Sequence, residues 1–236
     1  MTRVLLKTLS IFILFTILIS ACSCTNTKNG ETPFSEATVN TTEPPESTSL
    51  QDLYGKAIVE FNGELVDIST IPKGVKIPPS YDFFPQSFSE LEEYIKKRKN
   101  GCILKVTVTG IAKQDTAEPF CYIHIPIVIN EVLYKSENIT IEEGQELDFL
   151  GRMYIISFSM DKKLDLLCES HKTCAFFIGG EYFIVGYYNS EEKSVFPCVS
   201  YSGVIEITNF SDTHGFKGDP MGFKEEAFSK YNISGK

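Results

Sequence analysis

The sequence predicts a mainly β chain with a few helices, an α+β protein built on a small antiparallel barrel with one flanking helix and preceded by a disordered tether. Three observations carry this. Period-two alternation recurs in short runs after Cys102, with turn residues between the runs and no regular helix alternation. Phe88 to Asn100 has helical spacing and a charge order that suits a helix dipole. Thr25 to Leu50 is dominated by Thr, Ser, Asn, Glu and Pro, which cannot bury enough apolar surface to offset the entropy of ordering.

Arg3 and Lys7 are the only charges before Cys22. An apolar run from Leu9 to Ile19 is followed by Ser20, Ala21 and Cys22, so residues 1–21 read as an export signal. The run is shorter than the roughly 20 apolar residues of a comfortable membrane span. Ile19-Ser20-Ala21-Cys22 resembles the lipobox of bacterial lipoproteins. That resemblance implies cleavage before Cys22, a diacylglyceryl group on its thiol, and a chain held by lipid on the extracytoplasmic face of the cell membrane. Two acyl chains anchor stably where one does so marginally. Cys24 is a poorer match. Residues 22–50 then form the lipidated cysteine and a flexible tether, spanning roughly 30 Å as a coil.

Residues 51–86 read as a β-hairpin and a Pro-rich loop. Ile58 and Glu60 on one side and Leu65 and Asp67 on the other flank Asn62-Gly63, a pair suited to a type I′ turn, and Pro72, Pro78, Pro79 and Pro85 interrupt the chain after the hairpin. Ser87 and Glu90 form a candidate capping box for the helix, Phe88, Leu91 and Ile95 its apolar stripe, and Gly101 its stop. Strands are expected at Leu104–Val108, Ile123–Ile129, Asn138–Ile141, Met153–Phe158, Tyr182–Tyr188 and Val204–Thr208, with Pro126 at an edge or bulge. The barrel domain is assigned to 87–210. The tail, 211–236, carries a short helix with Asp219 as cap, Pro220 in the first turn and Phe223, Ala227 and Phe228 buried.

The 236 residues carry 22 basic and 31 acidic side chains, a net charge of −9. Removing Arg3 and Lys7 leaves 20 basic against 31 acidic, or −11. Such a field repels a phosphate backbone, and nucleic acid is not an expected partner. The mature length suits one sizeable core or two small ones. The densest basic run, Lys96-Lys97-Arg98-Lys99, reads as a dipole-matched helix end in preference to a lipid-binding patch. Seven cysteines leave six once Cys22 is acylated. An even number in an exported chain permits disulfides, in about 15 pairings.

The helix around Ser89-Glu90-Leu91-Glu92-Glu93, the strand from Cys102 to Gly110, the strand Ile127–Lys135 and the run Phe177–Gly186 come in an order that resembles uncharacterised secreted OB-type barrels of Gram-positive bacteria. Their plan is similar to netrin-like and tissue-inhibitor-of-metalloproteinases-like domains. The resemblance covers about Ser87 to Phe210 and implies an OB-like barrel. Inhibitors of that family chelate a protease metal through a free N-terminal cysteine; an acylated Cys22 at the end of a tether departs from this.

The segment Cys168-Glu169-Ser170-His171-Lys172-Thr173-Cys174 has the donor types of a zinc site, with Cys198, Cys121 or Glu169 as a fourth ligand. A Cys168–Cys174 disulfide or unpaired thiols are the competing readings, and oxidation excludes metal. His124, His171 and His214 are the only histidines. No base–nucleophile pair is visible, so no catalytic residue and no enzyme is expected, and no cofactor unless zinc. His124 reads as a surface residue. Glu142-Glu143 and Glu225-Glu226 read as solvated faces. Gly179-Gly180 precedes a strand, the wrong context for a phosphate loop. Tyr182, Phe183, Tyr187 and Tyr188 divide between core and a possible binding surface. The expected function is a surface lipoprotein presenting a non-catalytic barrel to an unknown protein or small ligand, with metal or thiol-redox sensing at Cys168, His171 and Cys174 as the alternative.

Overall fold

The computed structural model describes residues 49–61, 63–70, 73–76, 85–114, 123–151, 153–158, 163–168, 175–198 and 203–234, with side chains for all of these except 73–76, 153–158 and 163–168. All lie in one contact-dense unit, Pro45–Lys236. The signal, Cys22, the tether up to residue 48, Asn62, Cys121 and the stretch Glu169–Cys174 lie outside the described residues.

A one-turn 3-10 helix, Leu50–Leu53, opens the unit. Strands β1 (Ile58–Phe61) and β2 (Glu64–Asp67) form the expected hairpin, with Phe61 opposite Glu64 and Gly63 at φ 79°. The segment Lys73–Lys76 is β3. Helix α1 runs from Phe88 to Lys96. Ser87 caps it, accepting the Glu90 amide at 3.2 Å, while Glu90 reaches one residue beyond the cap to the Gln86 amide, so the box is only half closed.

The central feature is a closed five-stranded barrel. Its strands are β4 (Gly101–Val108), β6 (Ile123–Lys135), β7 (Glu146–Gly151), β10 (Glu181–Asn189) and β11 (Ser194–Pro197). They join in the ring β4-β6-β7-β11-β10-β4. The pairing leaves β4 where the Thr109 amide meets Pro126 and returns to it where the Tyr188 amide meets Asn100, about ten residues earlier, which is the stagger a tilted small barrel needs. The strand order and closure are compatible with an OB-like plan.

Expectations for strand direction, for Asn138–Ile141 and for Pro126 are corrected. The barrel is mixed rather than wholly antiparallel, because β7 and β11 run parallel. An odd ring cannot alternate direction all the way round, so five strands leave one parallel seam. Four further strands lie outside the ring: β5 (Ala112–Gln114) docks β1 onto β6, β12 (Val204–Glu206) lies against β10, and β8 (Met153–Phe158) pairs with β9 (Lys163–Cys168), which takes β3 on its other side. The strand expected at Asn138–Ile141 does not form, although Ile139 and Ile141 are buried. Pro126 is not at an edge; it sits where β4 ends its pairing along β6 and β5 begins.

Alternation sorts the side chains into two cores. Cys102, Leu104, Val106 and Val108 join Ile123, Ile125, Ile127 and Ile129 in the barrel core. Ile103, Phe183 and Val185 point the other way, against Phe88, Leu91 and Ile95 of α1 and Ala227 and Phe228 of helix α3 (Lys224–Tyr231). A short helix, α2 (Phe210–Thr213), connects β12 to this layer. Asp219 accepts the Phe223 and Lys224 amides at 3.0 and 2.9 Å from outside the helix; the expected cap position shifts, because α3 begins at Lys224 with Phe223 as its N-cap and Pro220 lies before it. Each fully buried large apolar side chain here contributes about 1.5–3 kcal/mol.

Candidate functional site

Charged side chains cross the outer sheet in a row. Glu60 on β1 lies opposite Lys113 on β5, and Lys113 opposite His124 on β6. Lys113 Nζ is 3.4 Å from Glu60, and His124 Nδ1 is 3.5 Å from Asp148 on β7. His124 is half exposed, as its place on the face opposite the isoleucines implies.

The row ends at an open groove of about 290 Å³, lined by Thr109, Pro126, Ile127, Glu146, Leu147, Asp148, Glu192 and Lys193. The barrel builds it from separate pieces. β6 and β7 supply the floor, Thr109 opens the connection after β4, and Glu192-Lys193 is the turn between β10 and β11. Lys193 takes the left-handed conformation at φ 49°, and its carbonyl accepts the Asp148 amide at 3.3 Å, which pins the turn to the groove wall. In OB-like barrels the face of the second and third strands and the loops flanking it hold ligands. Three carboxylates against one lysine make this groove acidic, and among the described residues no aromatic ring lines it. Those residues offer no stacking surface of the kind on which single-stranded nucleic acid depends.

The remaining candidates are dispersed. Cys168 closes β9, paired with Met153, but His171 and Cys174 lie outside the described residues, as do the zinc and disulfide readings that need them. Among the described residues no group of three or more His, Cys, Asp or Glu is arranged to hold a metal. His214 stacks on Phe177 at 5.1 Å. Tyr182, Phe183 and Tyr188 are core, and Tyr187 is half-buried. Glu226 is not merely solvated; it accepts the Phe88 and Ser89 amides, both at 2.9 Å.

Two thiols sit on either side of β10. The Cys102 thiol lies 3.5 Å from the Gly186 carbonyl in the barrel core. Cys198, at the end of β11, lies 3.9 Å from the Tyr187 hydroxyl, which also hydrogen-bonds Tyr94. Burial pushes both thiols up to about 12; the nearby Cys198 adds to the effect at Cys102, while Tyr187 and Arg98 oppose it at Cys198. Both are thus protonated near neutrality and poor nucleophiles or metal ligands.

Sequence reasoning missed the groove. Its lining residues come from four separate stretches, and none carries a local motif. Among the described residues no helix is long and apolar enough to cross a membrane. No protein family model matches the chain, and no curated protein does.

Proposed function

We propose that the protein is a lipid-anchored lipoprotein of the extracytoplasmic membrane face whose OB-like barrel binds a cationic segment of a partner protein, without chemistry of its own. The lipobox-like residues ending in Cys22 support the address. The observation that carries the binding role is the groove: a concavity on the barrel face suited to ligands, with Glu146, Asp148 and Glu192 on its walls. Those carboxylates disfavour phosphate and favour an amine or guanidinium. The closed mixed barrel is compatible with the netrin-like and inhibitor-like plan, but a blocked Cys22 removes the chelating group such inhibitors use, so protease inhibition is not proposed.

Titration calorimetry of the full chain with hexalysine tests the reading. Saturable binding that weakens at high salt and is lost in E146Q/D148N supports it. Unchanged affinity in that variant, or no binding at low salt, overturns it.

A further inference from the structure

Six cations from three elements lie toward one end of the domain. Lys96 ends α1 and Lys97, Arg98 and Lys99 follow it, Lys230 comes from the last turn of α3, and Lys135 ends β6 with its Nζ donating to the Ile141 carbonyl at 2.9 Å. Lys96 and Lys230 share the Glu92 carboxylate. The Lys99 carbonyl accepts the Ser136 hydroxyl at 2.7 Å, which draws the end of β6 to the end of α1. Glu92 and Glu93 on α1, with Glu137 and Glu191 on neighbouring turns, are the acids nearby, so cations outnumber them in a chain whose net charge is −9.

The helix dipoles account for only part of this group. Lys96 and Lys230 lie in the last turns of α1 and α3, whereas Arg98 and Lys99 follow the end of α1 and Lys135 belongs to a strand. The side chains are also available. Lys97 is 70% exposed, and Lys96 and Lys230 are 42% and 43% exposed. The exposed Lys97–Glu93 pair contributes about 0–1 kcal/mol at most and exchanges readily for another anion. Two tyrosines lie under the cations: the Arg98 guanidinium is 4.3 Å from the Tyr94 ring centre and Lys96 Nζ is 5.4 Å from that of Tyr134. Lysine and arginine beside half-buried tyrosine is the composition of a membrane-interface anchor.

We infer that this corner is a second membrane contact, docking the domain on the anionic headgroups of the bilayer that holds its lipid. The inference rests on the lipoprotein reading for the proximity of that bilayer. If the stretch before Leu50 is the coil expected from its composition, its span of roughly 30 Å is at least that of an eight-residue strand of about 26 Å, and a corner at either end of the barrel can reach the surface. A plane of lipid phosphates addresses cations on three elements at once. Clustered Lys and Arg beside a lipid anchor supply the second signal that makes attachment durable. The acidic groove, repelled by the same headgroups, is then left to the partner.

The test uses the full chain with its lipid, on phosphatidylcholine vesicles and on vesicles containing phosphatidylglycerol. Lysine acetylation rates are read residue by residue by mass spectrometry. Lys97, Lys99 and Lys230 are expected to react about fivefold more slowly on the anionic vesicles, with the difference lost at about 1 M salt. Lys113, 70% exposed and outside the corner, is the internal control. The variant K97Q/K99Q, which leaves the Glu92 contacts in place, is expected to lose the protection while keeping its circular dichroism. Equal rates on the two vesicles overturn the inference, as does equal protection from soluble polyphosphate over neutral vesicles. Intact mass reports the anchor separately: an unacylated chain sinks the lipoprotein reading, and flotation of that chain with anionic vesicles still decides whether the corner binds lipid.

Discussion

The Tyr231 hydroxyl donates to Glu92 Oε1 at 2.6 Å, tying the last helix to the first across 139 residues of sequence. Lys96 donates to the same oxygen at 2.8 Å, and Lys230 donates to Oε2. One turn earlier on α3, Glu226 takes the amides that open α1, which have no partner within the helix. Helix α3 therefore holds the start and the middle of α1 by polar contacts, while Ala227 and Phe228 close the apolar layer between them.

This arrangement makes stability pH-dependent. Burial alone raises the Glu92 carboxyl, but hydrogen bonds from Lys230, Lys96 and Tyr231 outweigh it and hold the group at about 2, below its ordinary 4.5. A depressed carboxyl stabilises the fold fully above the unfolded value and loses that contribution as pH falls toward the folded one. Urea midpoints are expected to fall between about pH 5 and 2. In E92Q, which leaves its donors partly unmatched, the fold loses about 2 kcal/mol at pH 7, and this part of the acid slope flattens. An acid slope identical to that of the parent chain contradicts the assignment.

The thiols of Cys102 and Cys198 are expected to resist alkylation. With both raised to about 12, the thiolate is a minute fraction at pH 8. Iodoacetamide followed by peptide mapping should leave Cys102, fully buried, unmodified until denaturant is added. Rapid native modification of Cys102 would show that the barrel opens at β4.

Gly179 and Tyr54 are matched. Gly179 sits at φ 79°, and a Cβ there would lie 2.2 Å from the Tyr54 ring. G179A is expected to cost about 2 kcal/mol, part backbone and part steric. Y54A/G179A recovers the steric part alone, because Tyr54 is 61% exposed and its ring is cheap to remove. A double variant no better than G179A would assign the whole cost to the backbone.

Tyr182 pins the loop that leads into β10. Its hydroxyl donates to the Ala175 carbonyl at 3.0 Å and accepts the Phe177 amide at 2.8 Å. Y182F leaves both buried groups short of a partner and is expected to cost about 1–3 kcal/mol. Hydrogen exchange at Phe177 should accelerate in step with it.

Several elements were legible in the sequence because the signal is local. Phe88, Leu91 and Ile95 recur at helical spacing behind Ser87, and they form α1 with all three fully buried. The isoleucines of β6 alternate, and they fill the barrel core. β5 and β11 were missed because three or four residues carry no readable period, and β11 ends in Pro197. Ile139 and Ile141 alternate and are buried, yet without a neighbouring strand in register they make no ladder; Lys135 Nζ satisfies the Ile141 carbonyl at 2.9 Å instead.

By itself the sequence determined what depends on neighbours in the chain: the capped amphipathic helix, the alternating strands and the acidic balance. Only the tertiary structure decided the parallel β7–β11 seam, the groove shared by four separate stretches and the basic corner assembled from α1, β6 and α3. Closing a ring of five strands imposes the seam and brings distant residues into one surface, and no local periodicity encodes which edges will meet.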